Sequence, residues 1–187
     1  MRRISGIAAV AALVLAGVAG STTSVTATPN APETPIPSYS AARLAALQSR
    51  VDGHLADYGG GRQVGLNQVE YQGGGMVLTL PLPGEASGRA VDEPVHAQGA
   101  PDCPSGSSCV WEDTGYEGAR LSRSKCGRLT LSAPFTTSVG SLHNNNGSQT
   151  VLFNSVGAFL NANQDPTRIN DTGVGTRGYV RQWEVCP

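Results

Sequence analysis

All four cysteines of this 187-residue chain lie at positions 103, 109, 126 and 186, so every possible cross-link is confined to the C-terminal part. What those sulfurs do depends on where the chain ends up. Arg2 and Arg3 precede the apolar run IAAVAALVLAGVAG, and the small residues of STTSVTATPN follow it. This is the charged, apolar and cleavage-zone order of a secretory signal, and it is short and weakly flanked for a membrane span. Residues 1–27 are therefore read as a signal peptide, cut after Ala19, Gly20 or Ala27. No cysteine near that zone offers a lipid anchor, so the product is expected to be secreted and free of the membrane. In an oxidising exterior an even cysteine count reads as two disulfides. A metal site is the weaker alternative, because His54, His96 and His143 are scattered with no ligand spacing between them. Four cysteines allow three pairings, and sequence alone does not rank them.

Removing the signal leaves roughly 165 residues, the size of one ordinary domain or a small domain with an appendage. Of the 13 basic residues, losing Arg2 and Arg3 leaves 11 against 14 acidic, a net of −3. Lys125 is the one lysine, no basic cluster stands out, and no nucleic-acid partner is expected. No cofactor motif appears, and a monomer is expected.

The rest of the chain divides into four stretches. Residues 28–38 form a proline-rich tether with nothing to bury. Residues 39–82 form a helix-plus-hairpin module. Its helix is expected over about 41–57, because Leu44, Leu47, Val51, Leu55 and Tyr58 draw an apolar stripe, with Ser38 or Ser40 as cap and Gly59–Gly61 as stop. RQVGLNQVEY and MVLTLPL read as two strands joined at QGGG. Residues 83–101, PGEASGRAVDEPVHAQGAP, carry no period and read as a linker, accessible to proteases, which leaves room for 28–100 to be a cleaved pro-region. His54 is expected on the polar side of the helix or as a partly buried neighbour of its stripe. Residues 102–187 look all-β: SCVWED, ARLSRS, GSLHNN, QTVLFN and YVRQWEV are short β-prone runs separated by Gly, Asn, Asp and Ser, as in a sandwich of antiparallel sheets.

Within that last stretch, CPSGSSCVWEDTGYEGARL places Trp111, Tyr116 and Gly118 at aromatic-x4-aromatic-x-Gly spacing directly after a C-x5-C pair. Two aromatics so spaced can meet across a folded hairpin, and the glycine admits a backbone conformation denied to residues with a Cβ. This stretch resembles the start of the secreted actinobacterial proteins grouped as peptidase inhibitor family I36. The resemblance covers 102–187 and implies a βγ-crystallin-like Greek-key sandwich, with pairing Cys103–Cys109 and Cys126–Cys186. In the equivalent second hairpin Phe153 is in place, but Ala158 stands where an aromatic is wanted.

Catalysis has little to draw on. No nucleophile motif surrounds any serine, and Glu112, Asp113 and Glu117 read as solvated turn carboxylates, so an enzyme is not expected. The resemblance also raises calcium, which many βγ-crystallin domains bind through an Asn/Asp pair followed by a serine pair. Here the first such stretch has Thr136, Thr137 and Gly140 at three of those positions and keeps only Ser141. The second keeps Asn170 and Asp171 but has Val174 and Gly175 for its serines. A plain turn is the reading for Asn170 and Asp171, with a weak calcium site as the alternative. Inhibition of a secreted peptidase is what the family implies. A metallopeptidase inhibitor among its founding members has a cysteine-bracketed reactive loop between the later strands. This chain has no cysteine between 126 and 186, so no reactive bond carries over. The run HNNNGSQ, from His143 to Gln149, reads as an exposed turn. The alternative function is a non-inhibitory extracellular or cell-surface binding module with a degenerate calcium site.

Overall fold

A computed structural model describes residues 38–95, 97, 100, 102–130, 139–153, 159–163 (backbone only), 167–172 and 180–186. Residues 1–37, which hold the stretch read as a signal peptide and most of that read as a tether, lie outside the described residues, as do Thr136, Thr137, Ala158, Val174 and Gly175.

Helix α1 runs from Ala41 to Tyr58. Ser40 caps it, its hydroxyl accepting from the Arg43 amide, and Gly59 ends it at φ 51° while its N–H closes on the Leu55 carbonyl. The apolar stripe works at its centre, where Leu47 and Val51 are buried. It fades at the end: Tyr58 is exposed and instead stacks on His54, ring centroids 5.7 Å apart.

Three strands follow rather than the expected two: β1 (Arg62–Gly65), β2 (Gln68–Tyr71) and β3 (Met76–Thr79). The hairpin reading of 62–82 is thus corrected to a three-stranded meander. RQVGLNQVEY breaks at Leu66–Asn67 because the buried Asn67 side chain donates to the carbonyls of Leu80 and Arg89, which holds the turn from outside.

Eight more strands follow: β4 (Ser107–Trp111), β5 (Arg120–Arg123), β6 (Gly127–Thr130), β7 (Ser141–Asn145), β8 (Thr150–Phe153), β9 (Phe159–Asn163), β10 (Thr167–Ile169) and β11 (Gln182–Val185). All strand pairs are antiparallel, and the protein is mostly β. One sheet has seven strands in the order β1-β2-β3-β5-β4-β7-β10, and the other has four, β6-β11-β8-β9. The stretch read as 39–82 therefore continues into the sheet built by 102–187, because β3 pairs with β5 along Met76–Thr79.

Register explains the core. Val69, Leu78, Leu121, Val110 and Leu142 are successive partners across five strands, and each is fully buried. Successive residues of a strand face opposite ways, so this row lines one face of the large sheet. In the small sheet the row Leu129–Trp183–Leu152 belongs to the same cluster, as do Leu47 and Val51 of α1. The opposite face carries a second row, Thr79–Arg120–Trp111–Ser141, which is buried as well. Something has to cover it.

Candidate functional site

The cover is the stretch that composition marks as a linker. Residues 86–93 lie along the second face, and the backbone pins them there. The Gly118 amide donates to the Ala86 carbonyl at 2.7 Å, and the Gly88 amide donates to the Gly118 carbonyl at 2.9 Å. A Cβ at Gly88 would come within 2.1 Å of the Thr79 carbonyl oxygen, so only glycine lets the strap lie this close. Arg89 and Ala90 are buried. Over its described residues, the stretch read as a protease-accessible linker is a strap held by backbone contact and charge.

Below the strap sits the hairpin of β4 and β5. Cys103–Cys109 closes its entry, with Cα atoms 5.7 Å apart. Glu112 and Asp113 donate their amides to the carbonyls of Ala119 and Glu117, which folds the tip back over a short 3-10 turn at Thr114–Tyr116. Trp111 and Tyr116 meet edge-on, centroids 5.2 Å apart at 78°. The Trp111 Nε1–H donates to the Ser87 hydroxyl of the strap at 3.2 Å. Gly118 takes φ 77°, and a Cβ there would lie 2.9 Å from Asp113 Oδ2. The carboxylates of Glu112 and Asp113 thus both turn toward Gly118, because the chain has left strand geometry by that point.

At the far end of the hairpin the calcium-like positions converge. Ser141 donates to the Asp113 carbonyl at 2.7 Å and accepts from the Tyr116 amide at 3.0 Å. The Gly115 amide takes the Asn170 carbonyl at 2.7 Å, and the Thr172 amide takes that of Gly140 at 2.9 Å. A Cβ at Gly140 would fall 2.0 Å from the Asp113 carbonyl carbon, so the serine of a calcium motif has no room at 140. The Ser141 hydroxyl and the Asn170 backbone carbonyl are both engaged in tying these loops together. Among the described residues no group of three or more His, Cys, Asp or Glu side chains is placed to hold a metal.

His143 differs from its expected place. It is buried in β7 opposite Cys109, and the exposed turn is shorter than HNNNGSQ, with bends only at Asn146–Ser148. A target's metal has no access to that imidazole. His54 is half-buried on α1, and burial, then the Arg50 charge, pulls its imidazole below the usual range against Glu112 and Asp57.

The residues that sequence reasoning missed are Arg120, Glu93 and Arg89. Arg120 is 1% exposed, on β5 beside Trp111. Its Nη2 donates to both carboxylate oxygens of Glu93, at 2.9 and 3.0 Å, and its Nη1 donates to the Asp102 carbonyl, with the Asp102 carboxylate 3.4 Å away. Glu93 also accepts from the Ala90 amide at 2.8 Å, and its own carbonyl accepts from Arg89 Nη1 at 2.7 Å. Burial pushes the Glu93 carboxyl up, but the bonds and charge of Arg120 and the Ala90 amide outweigh it and leave it below the usual carboxylate range. Arg89 is balanced by Glu85 at 2.6 Å. In sequence the only sign of this clamp is Arg120 alternating with Leu121 in ARLSRS, an arginine at a back-face position. Beside the clamp opens a cleft of about 320 Å3 whose lining includes Ala86, Ser87, Arg89, Val95, Ala97 and Ala100.

A sequence model of peptidase inhibitor family I36 matches residues 96–158, about a third of the chain, from beside Val95 through the β4–β5 hairpin to the end of β8 and just beyond. No curated protein matches the chain, and no solved structure does.

Proposed function

We propose that this protein is a non-catalytic inhibitor that binds and blocks an extracellular peptidase. The observation that carries the reading is the overlap between the stretch similar to family I36 and the disulfide-closed hairpin held under its strap. Peptidase inhibitors gain affinity by presenting a surface already in its bound shape, since little ordering cost remains to be met on association. The two disulfides, Cys103–Cys109 and Cys126–Cys186, fit an extracellular protein, and among the described residues no helix is long and apolar enough to cross a membrane.

A βγ-crystallin-like sandwich is part of this proposal. The strand order supports it: β5-β4-β7 share a sheet while β6 crosses to the other, and β9-β8-β11 share that second sheet while β10 crosses back. We also propose that 39–187 folds as one unit, since β3 is an interior strand of the large sheet.

The test of function is inhibition of secreted serine and metallo-endopeptidases by the purified protein from which residues 1–27 have been removed. Inhibition with tight stoichiometry is expected for one class. Full activity of every enzyme at micromolar protein favours the non-inhibitory binding module instead.

A further inference from the structure

We infer that the Glu93–Val95 turn, with the cleft behind it, is the surface that engages the peptidase, and that Val95 is the side chain it delivers to an apolar substrate pocket. This rests on the inhibitor reading above and adds a contact residue and a class of target to it.

Three observations converge on the turn. Val95 is 70% exposed, against 39–41% for the other exposed large apolar residues among those described, Tyr58, Val64 and Leu66. Pro94 beside it is exposed too. Second, the projecting residues stand on a fixed base. The N-terminal stem is held through the Glu93 carboxylate and carbonyl, and the C-terminal stem through Asp102 and the adjacent disulfide at Cys103. Both stems are bonded to the same buried guanidinium, that of Arg120, which sits on an interior strand of the sheet. Pro94 adds a fixed φ directly after the turn closed by the Glu93 amide on the Ala90 carbonyl. Third, the walls of the cleft give an enzyme's rim residues a place to enter beside the projecting side chain.

This arrangement separates an inhibitor from a substrate. An ordinary exposed loop offers a peptidase a bond to cut, and its ends then part. Here the two ends stay cross-linked through Arg120 even if the chain between them is cut, so a nicked molecule keeps its shape and its hold on the enzyme. The exposed side chain is branched, apolar and small. The fitting partner is therefore an endopeptidase whose main pocket takes such residues, rather than one selecting arginine, lysine or a carboxylate.

The experiment is an inhibition titration with the protein lacking residues 1–27, against an elastase-type serine endopeptidase, a thermolysin-type metallo-endopeptidase and a trypsin-type control. Wild type, Val95→Asp, Val95→Ile and Val64→Asp are compared, with thermal melts to confirm equal folding. The expected result is inhibition of an apolar-pocket enzyme, weakened roughly 100-fold by Val95→Asp. Val95→Ile and Val64→Asp should stay within about threefold of wild type, within the small effects usual for substitutions outside a hot spot. If wild type inhibits but Val95→Asp inhibits equally well, the assignment of Val95 fails while the inhibitor reading stands. If wild type inhibits none of the enzymes, both fail. Rapid cleavage between 93 and 100 with no loss of enzyme activity shows a plain substrate loop and overturns the proposal.

Discussion

The two sheets each contain a hairpin that begins on a large aromatic, and the two aromatics have opposite fates. Trp111 ends β4 fully buried, edge-on to Tyr116 and bonded to Ser87. Phe153 ends β8 half-buried, and its ring is covered by the guanidinium of Arg128, 4.0 Å from the centroid, which is itself paired with Glu184. One aromatic is closed in by a second ring and a strap, the other by a cation at the surface. The same hairpin position therefore carries very different energy depending on what lies over it.

Truncation breaks the comparison most directly. Trp111→Ala should cost about 3–5 kcal/mol, because a fully buried indole leaves a void and orphans Ser87. Phe153→Ala should cost only about 1 kcal/mol, since it loses partial burial and a surface cation–π contact. Urea unfolding of the two variants checks the ratio, and equal losses would mean the second hairpin is as deeply packed as the first.

The disulfides sharpen the same contrast. Cys126–Cys186 joins residues 60 apart at the ends of β6 and β11, whereas Cys103–Cys109 joins residues 6 apart at the mouth of the first hairpin. Loop entropy assigns about 4 kcal/mol to the first and about 2 to the second. Paired Cys→Ser variants, after peptide mapping of the bonds, should lose stability in that order. A larger loss at Cys103–Cys109 would make the hairpin mouth the weaker point of the fold.

A smaller effect comes from the clamp over the first hairpin. Glu93 has a depressed carboxyl pKa in the fold, so its contribution is complete above the ordinary carboxylate value and is lost as the pH falls through the folded value. Wild type should exceed Glu93→Gln in stability by roughly 1–2 kcal/mol at pH 7, and the gap should close in acid below about pH 4. A gap that stays constant from pH 7 to pH 3 would remove the ionised carboxylate from the explanation. The smallest effect is expected from calcium. With Ser141 and Asn170 already engaged, millimolar calcium against chelator should shift the melting temperature by less than about two degrees, where a tight site would add several kcal/mol.

Much of this was legible from local pattern. The helical stripe through Leu47 and Val51 sets α1, and the spacing of Trp111, Tyr116 and Gly118 marks the folded hairpin. The break at Asn67 was not legible, because its partners lie 13 and 22 residues away and no local turn chemistry announces them. Nor was the strap. Small and charged residues look like a linker when read alone, yet Gly88 is small so that it can touch the Thr79 backbone, and Glu93 is charged so that it can meet Arg120 across 27 residues. The asparagines after His143 dominate the local composition and read as a turn, whereas the β7 register runs through His143.

The interior position of β3 also orders events in time. A chain made from its N-terminus presents Met76–Thr79 long before Arg120–Arg123 exists to pair with it, and Cys126 must wait for Cys186. Until then α1 and the meander hold an open strand edge, a template for mispairing with neighbouring chains. Assembly of the large sheet is therefore a late step, and conditions that slow the arrival or oxidation of Cys186 should show first as aggregation rather than as a lower melting temperature.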